Sequence, residues 1–409
     1  MPRRFGKYHL LARLGATSFA EHFLARSAQP SGKLYLLRRL KDNLATDPHW
    51  IDYFLDMARQ NAAIVSPNVL RVAETGQQEN RYFAAIEFQP GLSLAAYLRR
   101  VHRAEVSISI DCAAGLVAQL ATGLEDAYDT EQPSGRPIRA HGALSPHRIW
   151  VGFDGQVSLL DFPLERAAPP GPMVEPLMAY RSPEALRGDP IDKRSDVFSL
   201  GIFLFELTTG RNLFRRGSRE RIKAAILSGR TPKPRTFNPA LSPEVETIIL
   251  RALDREPAMR FVTPGEMQQE LLSAVQLYGG SVSPLSIKKL TEDTMIEEKL
   301  GQLNIAGSSD KISQGDEFAI SAIGGIAESA VGEVRDLDQE ALYAGSEPGS
   351  TLQTLGGDQP VDLASSRLIP TATEIQLTDP KRYGLKPRDY VLMGIIVVAL
   401  SLMAFFVTR

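Results

Sequence analysis

Lys193-Arg194-Ser195-Asp196-Val197-Phe198-Ser199-Leu200-Gly201-Ile202-Phe203-Leu204-Phe205-Glu206-Leu207-Thr208-Thr209-Gly210-Arg211 is the most informative run of this chain. Taken alone, its Ser-Asp-Val-Phe-Ser-Leu-Gly portion is only suggestive. Before it stands Tyr180-Arg181-Ser182-Pro183-Glu184-Ala185-Leu186-Arg187-Gly188, and after it Ile249-Leu250-Arg251-Ala252-Leu253-Asp254-Arg255-Glu256-Pro257-Ala258-Met259-Arg260-Phe261. The order and spacing of the three make one strong signal. Upstream, residues 108–128 carry apolar side chains at helical spacing and run into the breaker Gln132-Pro133-Ser134-Gly135. Residues 7–40 alternate as strands do: Tyr8 to Leu14, a turn, Ala20 to Arg26, then Leu34 to Leu40.

The bulk numbers bound the rest. A chain of 409 residues, 43% hydrophobic and 23% charged, holds one large domain and further segments. Its net charge of −2 gives no reason to expect nucleic acid as a partner. A single cysteine, Cys112, excludes an intramolecular disulfide framework and suits a reducing compartment. The basic N-terminus has no long apolar stretch, so a signal peptide is not expected. Residues 281–380 hold about 17 acidic and about 6 basic residues with few aromatics. Such a composition buries too little apolar surface to offset its ordering entropy, and 281–388 reads as an acidic, disordered linker. Residues 390–407 are 18 without a charge, roughly 27 Å as a helix at about 1.5 Å per residue, close to a hydrocarbon core of about 30 Å. They read as one C-terminal transmembrane helix. Lys381, Arg382, Lys386 and Arg388 precede it, which places its N-terminal side in the cytoplasm.

Residues 7–275 resemble a eukaryotic-like serine/threonine protein kinase domain of the bacterial type. The resemblance implies an α+β, bilobal fold, with a small lobe over 7–90 built on a five-stranded sheet and one helix, and a mostly helical large lobe over 91–275. It implies that residues 193–211 form the buried central helix of the large lobe, with Asp196 capping it and binding the catalytic-loop backbone. It also implies a buried ion pair between Arg260 and Glu184. In an active member it would imply ATP, two Mg²⁺ and a protein hydroxyl as substrates.

The site positions depart from that pattern. His141-Gly142-Ala143-Leu144-Ser145-Pro146-His147-Arg148-Ile149 lies where the family writes H-R-D-L-K-P-x-N-I. Phosphoryl transfer needs a carboxylate to orient the attacking hydroxyl, and Ala143 offers a methyl group there. The second Mg²⁺ needs an amide oxygen, and Arg148 offers a guanidinium. A cation cannot ligate a cation. In Gly15-Ala16-Thr17-Ser18-Phe19-Ala20 only Gly15 survives of the phosphate-cradling glycines. Arg38 replaces the phosphate-pairing lysine, a swap that is not neutral. Met57 holds the place of the helix glutamate, and the neighbouring Asp56 is a candidate partner for Arg38. Backbone groups from Glu87 to Gln89 are the hinge that would meet an adenine ring, the least damaged part of the site. Asp161, in Asp161-Phe162-Pro163, is the one intact metal ligand; it either binds a metal–nucleotide or caps local backbone. The segment from Pro163 to Tyr180 carries no serine or threonine; after Pro163 it has four more prolines, Pro169, Pro170, Pro172 and Pro176, and it reads as a stiff strap.

The expectation is a membrane-anchored pseudokinase: a non-catalytic binding or regulatory scaffold, tail-anchored in a bacterial inner membrane with its kinase-like domain in the cytoplasm. No cofactor is certain; weak ATP binding is allowed and Mg²⁺ is not expected. The partner would be a protein, an active kinase or its substrate. The alternative is a weakly active or nucleotide-gated kinase that repositions Arg38, Asp56 and Asp161.

Overall fold

A computed structural model describes residues 3–294, apart from 18, 31, 163–177 and 215–217. The strap from Pro163, the bulk of the linker and the span at 390–407 lie outside the described residues. Among the described residues no helix is long and apolar enough to cross a membrane.

The chain begins with β1 (Arg3–Phe5), β2 (Tyr8–Ala16), β3 (Ala20–Ser27) and β4 (Leu34–Leu40). Helix α1 (Pro48–Ala63) follows, started by the Asp47 side chain, which accepts the His49 N–H, and by Pro48 in the first turn. Then come β5 (Val72–Gln78) and β6 (Arg81–Glu87), and the small-lobe sheet runs β1-β2-β3-β4-β6-β5. It is antiparallel throughout. The resemblance implied five strands; the sixth is β1, folded back on β2 across the Gly6 turn.

The large lobe starts with β7 (Gly91–Ser93), α2 (Leu94–Arg103) and α3 (Ile110–Tyr128). Strands β8 (Ile149–Gly152) and β9 (Val157–Leu159) complete a small sheet in the order β7-β8-β9. Helices α4 (Pro183–Arg187), α5 (Lys193–Thr209), α6 (Arg219–Ser228), α7 (Pro243–Ala252) and α8 (Pro264–Leu277) follow. Helix α5 is buried all round, from Ser195 to Thr208, which is why its sequence lacks a polar face. Its cap is Asp192, accepting the Arg194 N–H, and not Asp196 as the resemblance implied. Gly210 ends it in a left-handed conformation.

The large lobe extends further than the expected boundary at 275. Helix α9 (Pro284–Thr294) packs on α3 and drives Ile287, fully buried, into the core. The Tyr97 hydroxyl donates to the Ile287 carbonyl at 3.4 Å. Gly155 is required beneath it, because a β-carbon there would fall on the Pro284 carbonyl. An acidic linker starting at 281 is therefore corrected: residues 284–294 are part of the folded lobe. The charge count over a hundred residues hid a short stretch with apolar residues three apart.

Candidate functional site between the lobes

The large-lobe framework is built as the sequence implied. Arg260 and Glu184 form a two-pronged ion pair, Nη1 to Oε1 at 2.7 Å and Nη2 to Oε2 at 2.9 Å. Three backbone carbonyls, of Asp254, Arg194 and Arg255, take the remaining guanidinium hydrogens. Burial alone would raise the Glu184 carboxyl; the Arg260 and Ser195 donors overcome it and hold the group down at about 2. Asp196 accepts the His141 N–H at 2.6 Å, the Gly142 N–H at 2.8 Å and the Tyr128 hydroxyl at 2.6 Å. It thus fixes the catalytic-type loop from inside, and full burial lifts its carboxyl to about 6 against those donors.

On that framework, Ala143 is buried and its N–H donates to His141 Nδ1 at 3.2 Å. No carboxylate stands at that point of the loop. The His141 ring lies 4.7 Å from that of Phe162, and burial, with the Arg148 charge second, pushes its imidazole down to about 3.

Arg38 on β4 does not meet Asp56. Its Nη2 donates to Asp161 Oδ2 at 2.5 Å, and its side chain is 5% exposed against 24% for Asp161. Asp56 turns outward to Arg59 at 3.0 Å, because Met57, not Asp56, faces the core on α1. The Arg38–Asp56 pair that a small rotation of α1 would allow is not the one formed here. Asp161 adopts a left-handed backbone, φ 55°, unusual for a residue with a β-carbon. Burial acts to raise its carboxyl, but the Arg38 and Arg148 guanidiniums beside it bring it below the usual carboxylate range. Burial pulls Arg148 the other way, lowering it, with Arg38 nearby adding like-charge repulsion. Beside the two readings of Asp161 from sequence, metal ligand or backbone cap, the structure adds a third role, an ion pair with Arg38.

His22 on β3 sits directly across from Arg38 and therefore on the same face of the sheet. Burial, with the Arg38 charge second, pushes it down to about 3, and neither ring nitrogen has a partner among the described residues. Gly15 has φ 149° and pairs with His22 in register. In the turn beyond it, the Thr17 N–H donates to the Ala20 carbonyl and the Ala20 N–H to Thr17 Oγ1. Two amides that a phosphate cradle would leave free are used inside the turn. The hinge is likewise engaged. The Glu87 N–H donates to the Arg71 carbonyl, the Glu87 carboxylate pairs with Lys33 at 2.8 Å, and the Gln89 carbonyl accepts Trp150 Nε1 at 2.9 Å.

Sequence reasoning missed three residues. Asn61 on α1 donates through Nδ2 to the Phe162 carbonyl at 2.9 Å and accepts the Phe162 N–H at 2.8 Å, tying the helix to the segment after β9. Trp150 and His22 are the others. The only signal was their type: a polar residue or a large aromatic where the neighbouring pattern is aliphatic.

The framework and this cleft define a protein kinase fold. The chain belongs to the protein kinase domain family, whose model matches residues 8–272. It is similar to the tyrosine-protein kinase MasK of Myxococcus xanthus, 28% identical over 291 residues, 69% of this chain and 45% of that protein. It is also similar to the serine/threonine-protein kinase PrkC of Bacillus subtilis, 26% identical over 277 residues, 66% of this chain and 40% of that one. The chain thus spans less than half the length of these relatives. The structure matches the kinase domain of PknI from Mycobacterium tuberculosis with a TM-score of 0.50 at 19% identity, covering 67% of this chain and 98% of that one. At that identity the likeness shows the fold alone.

The family implies a magnesium–nucleotide in the cleft. The residues present do not fit it. Asp161 is paired with the Arg38 guanidinium, the position of the amide ligand carries the Arg148 guanidinium, which repels any metal, and the Thr17 and Ala20 amides of the turn are taken. A divalent cation would have to displace Arg38 from a half-buried carboxylate.

Proposed function

We propose that the domain is a non-catalytic scaffold of the protein kinase family. One observation carries the reading: the loop held by Asp196 presents the Ala143 methyl where the hydroxyl-orienting carboxylate belongs. The commitment of Asp161 to Arg38 supports it. Residues 390–407 would anchor the chain in a bacterial inner membrane with the domain on the cytoplasmic side, and the acidic stretch from 295 to 388 would be its tether. The partner is a protein, an active kinase or its substrate, met near the membrane.

The alternative is a weakly active kinase using ATP, a reading supported by the relatives, which are named as kinases. Radiolabelled phosphate transfer by the full chain, to itself and to a general protein acceptor, separates the two. The scaffold reading expects no transfer above background, since loss of an acid–base group alone costs about 10²–10⁴ in rate. Transfer that disappears in an Asp161→Ala variant would overturn it. For the anchor, protease added to intact spheroplasts is expected to leave the domain undigested, and deletion of 389–409 to release it to the soluble fraction.

A further inference from the structure

The apolar residues next to each site position are packed shut. Leu14 abuts Gly15, Leu36 lies two residues before Arg38 on the same face of β4, Ile86 precedes the hinge, and Leu160 precedes Asp161. These four belong to one apolar cluster with Trp150, which comes from β8 of the large lobe. Their exposures are 8%, 2%, 2% and 2%, and that of Trp150 is 1%. A slot open to a planar base is walled by side chains that water reaches when the slot is free. These walls show almost no such surface.

What fills the space is chemically like a base. The Trp150 indole is a fused, planar, two-ring system with one N–H donor, and it directs that N–H to the hinge carbonyl of Gln89. Gly91 makes the room, since a β-carbon there would come within 2.8 Å of Trp150 Nε1. On the other side of the cleft the Arg38 guanidinium is paired with the Asp161 carboxylate, in the way a metal cation would be. Asn61 adds a third tie by binding both backbone groups of Phe162.

We propose that the cleft is occupied by the chain itself: Trp150 in the place of a nucleobase, and the Arg38 guanidinium in the place of the metal. The domain then holds its lobes together with no nucleotide, and the surface offered to a partner does not vary with nucleotide supply. This deepens the scaffold reading and rests on the same cleft.

Calorimetric titration of the full chain tests it with two separate probes. Adenosine, which has no phosphates, reports on the base half; inorganic tripolyphosphate, which has no base, reports on the other, each with Mg²⁺ and with a chelator. Neither is expected to give saturable binding to the wild type under either condition. Trp150→Ala empties the slot, and adenosine is expected to bind that variant at least about 10-fold more tightly than the wild type. If Trp150→Ala does not fold, Trp150→Leu keeps an apolar floor, and the wild-type titration decides in any case. Saturable adenosine or tripolyphosphate binding by the wild type, or a folded Trp150→Ala that gains no adenosine affinity, overturns the proposal. Nucleotide binding without phosphate transfer would sink this inference and leave the scaffold reading standing; transfer would sink both.

Discussion

Replacing Asp161 by asparagine separates a structural carboxylate from a catalytic one. In a site built for chemistry, charged groups are held in unfavourable company, and removing one commonly leaves stability unchanged or raises it. Here the opposite is expected. Asp161 neutralises Arg38, whose side chain is 5% exposed, and lies beside Arg148. Breaking a buried pair by removing one partner typically costs about 3–5 kcal/mol, because a charge is left uncompensated. Asp161 is itself 24% exposed, so solvent recovers part of that, and about 2–3 kcal/mol is the expected loss. Urea unfolding followed by far-ultraviolet dichroism measures it. Arg38→Met should cost less, since it removes a buried charge and leaves a carboxylate near solvent and Arg148. The double variant should cost clearly less than the sum of the singles, because each single change strands the other's partner. The carboxyl of Asp161 lies below its unfolded value, so its contribution is present above the unfolded pKa of about 3.9 and is lost as pH falls through the lower folded value. An Asp161→Asn variant as stable as the wild type at neutral pH, or additive single changes, would refute the counter-ion reading.

Other outcomes are expected from the same geometry. Arg260→Ala leaves Glu184 buried with Ser195 as its one remaining side-chain donor among the described residues and should cost about 3–5 kcal/mol, on the order of 6–12 °C in Tm; a loss under 1 °C would contradict it. Glu184, held at about 2, gives stability that is full above its unfolded pKa of about 4.3 and fades as pH drops toward 2, and Glu184→Gln should flatten that part of the profile. Asn61→Ala removes two hydrogen bonds to a buried backbone and should cost about 2–3 kcal/mol, with faster amide exchange at Phe162 as the site-specific readout. Ending the chain at 280 strips Ile287 and Leu290 from the core, a loss of about 3–6 kcal/mol in apolar burial; equal thermal stability of chains ending at 280 and 294 would show that α9 is not part of the lobe.

Local pattern was enough for much of this protein. The alternation from Tyr8 to Leu40 became β2, β3 and β4, and the helical spacing of residues 108–128 became α3. Glu184, Asp196 and Arg260 could be placed because a framework residue with one burial environment has one way to be satisfied, so its spacing carries its partner with it. That position 143 carries a methyl group and no carboxylate was legible too, since a residue's identity needs no geometry. The contents of the cleft were not. Arg38 had two carboxylates within plausible reach, and the choice of Asp161 over Asp56 rested on which face of α1 turned to the core, decided by Met57 and Phe54 packing as a whole. Trp150 meets Gln89 across 61 residues, and Asn61 meets Phe162 across 101. Whether an indole lines a slot or fills it depends on the closeness of two lobes, and α9 counts as fold or tether only once α3 offers it a surface. Burial summed over many distant contacts makes those decisions, and a linear pattern does not contain the sum.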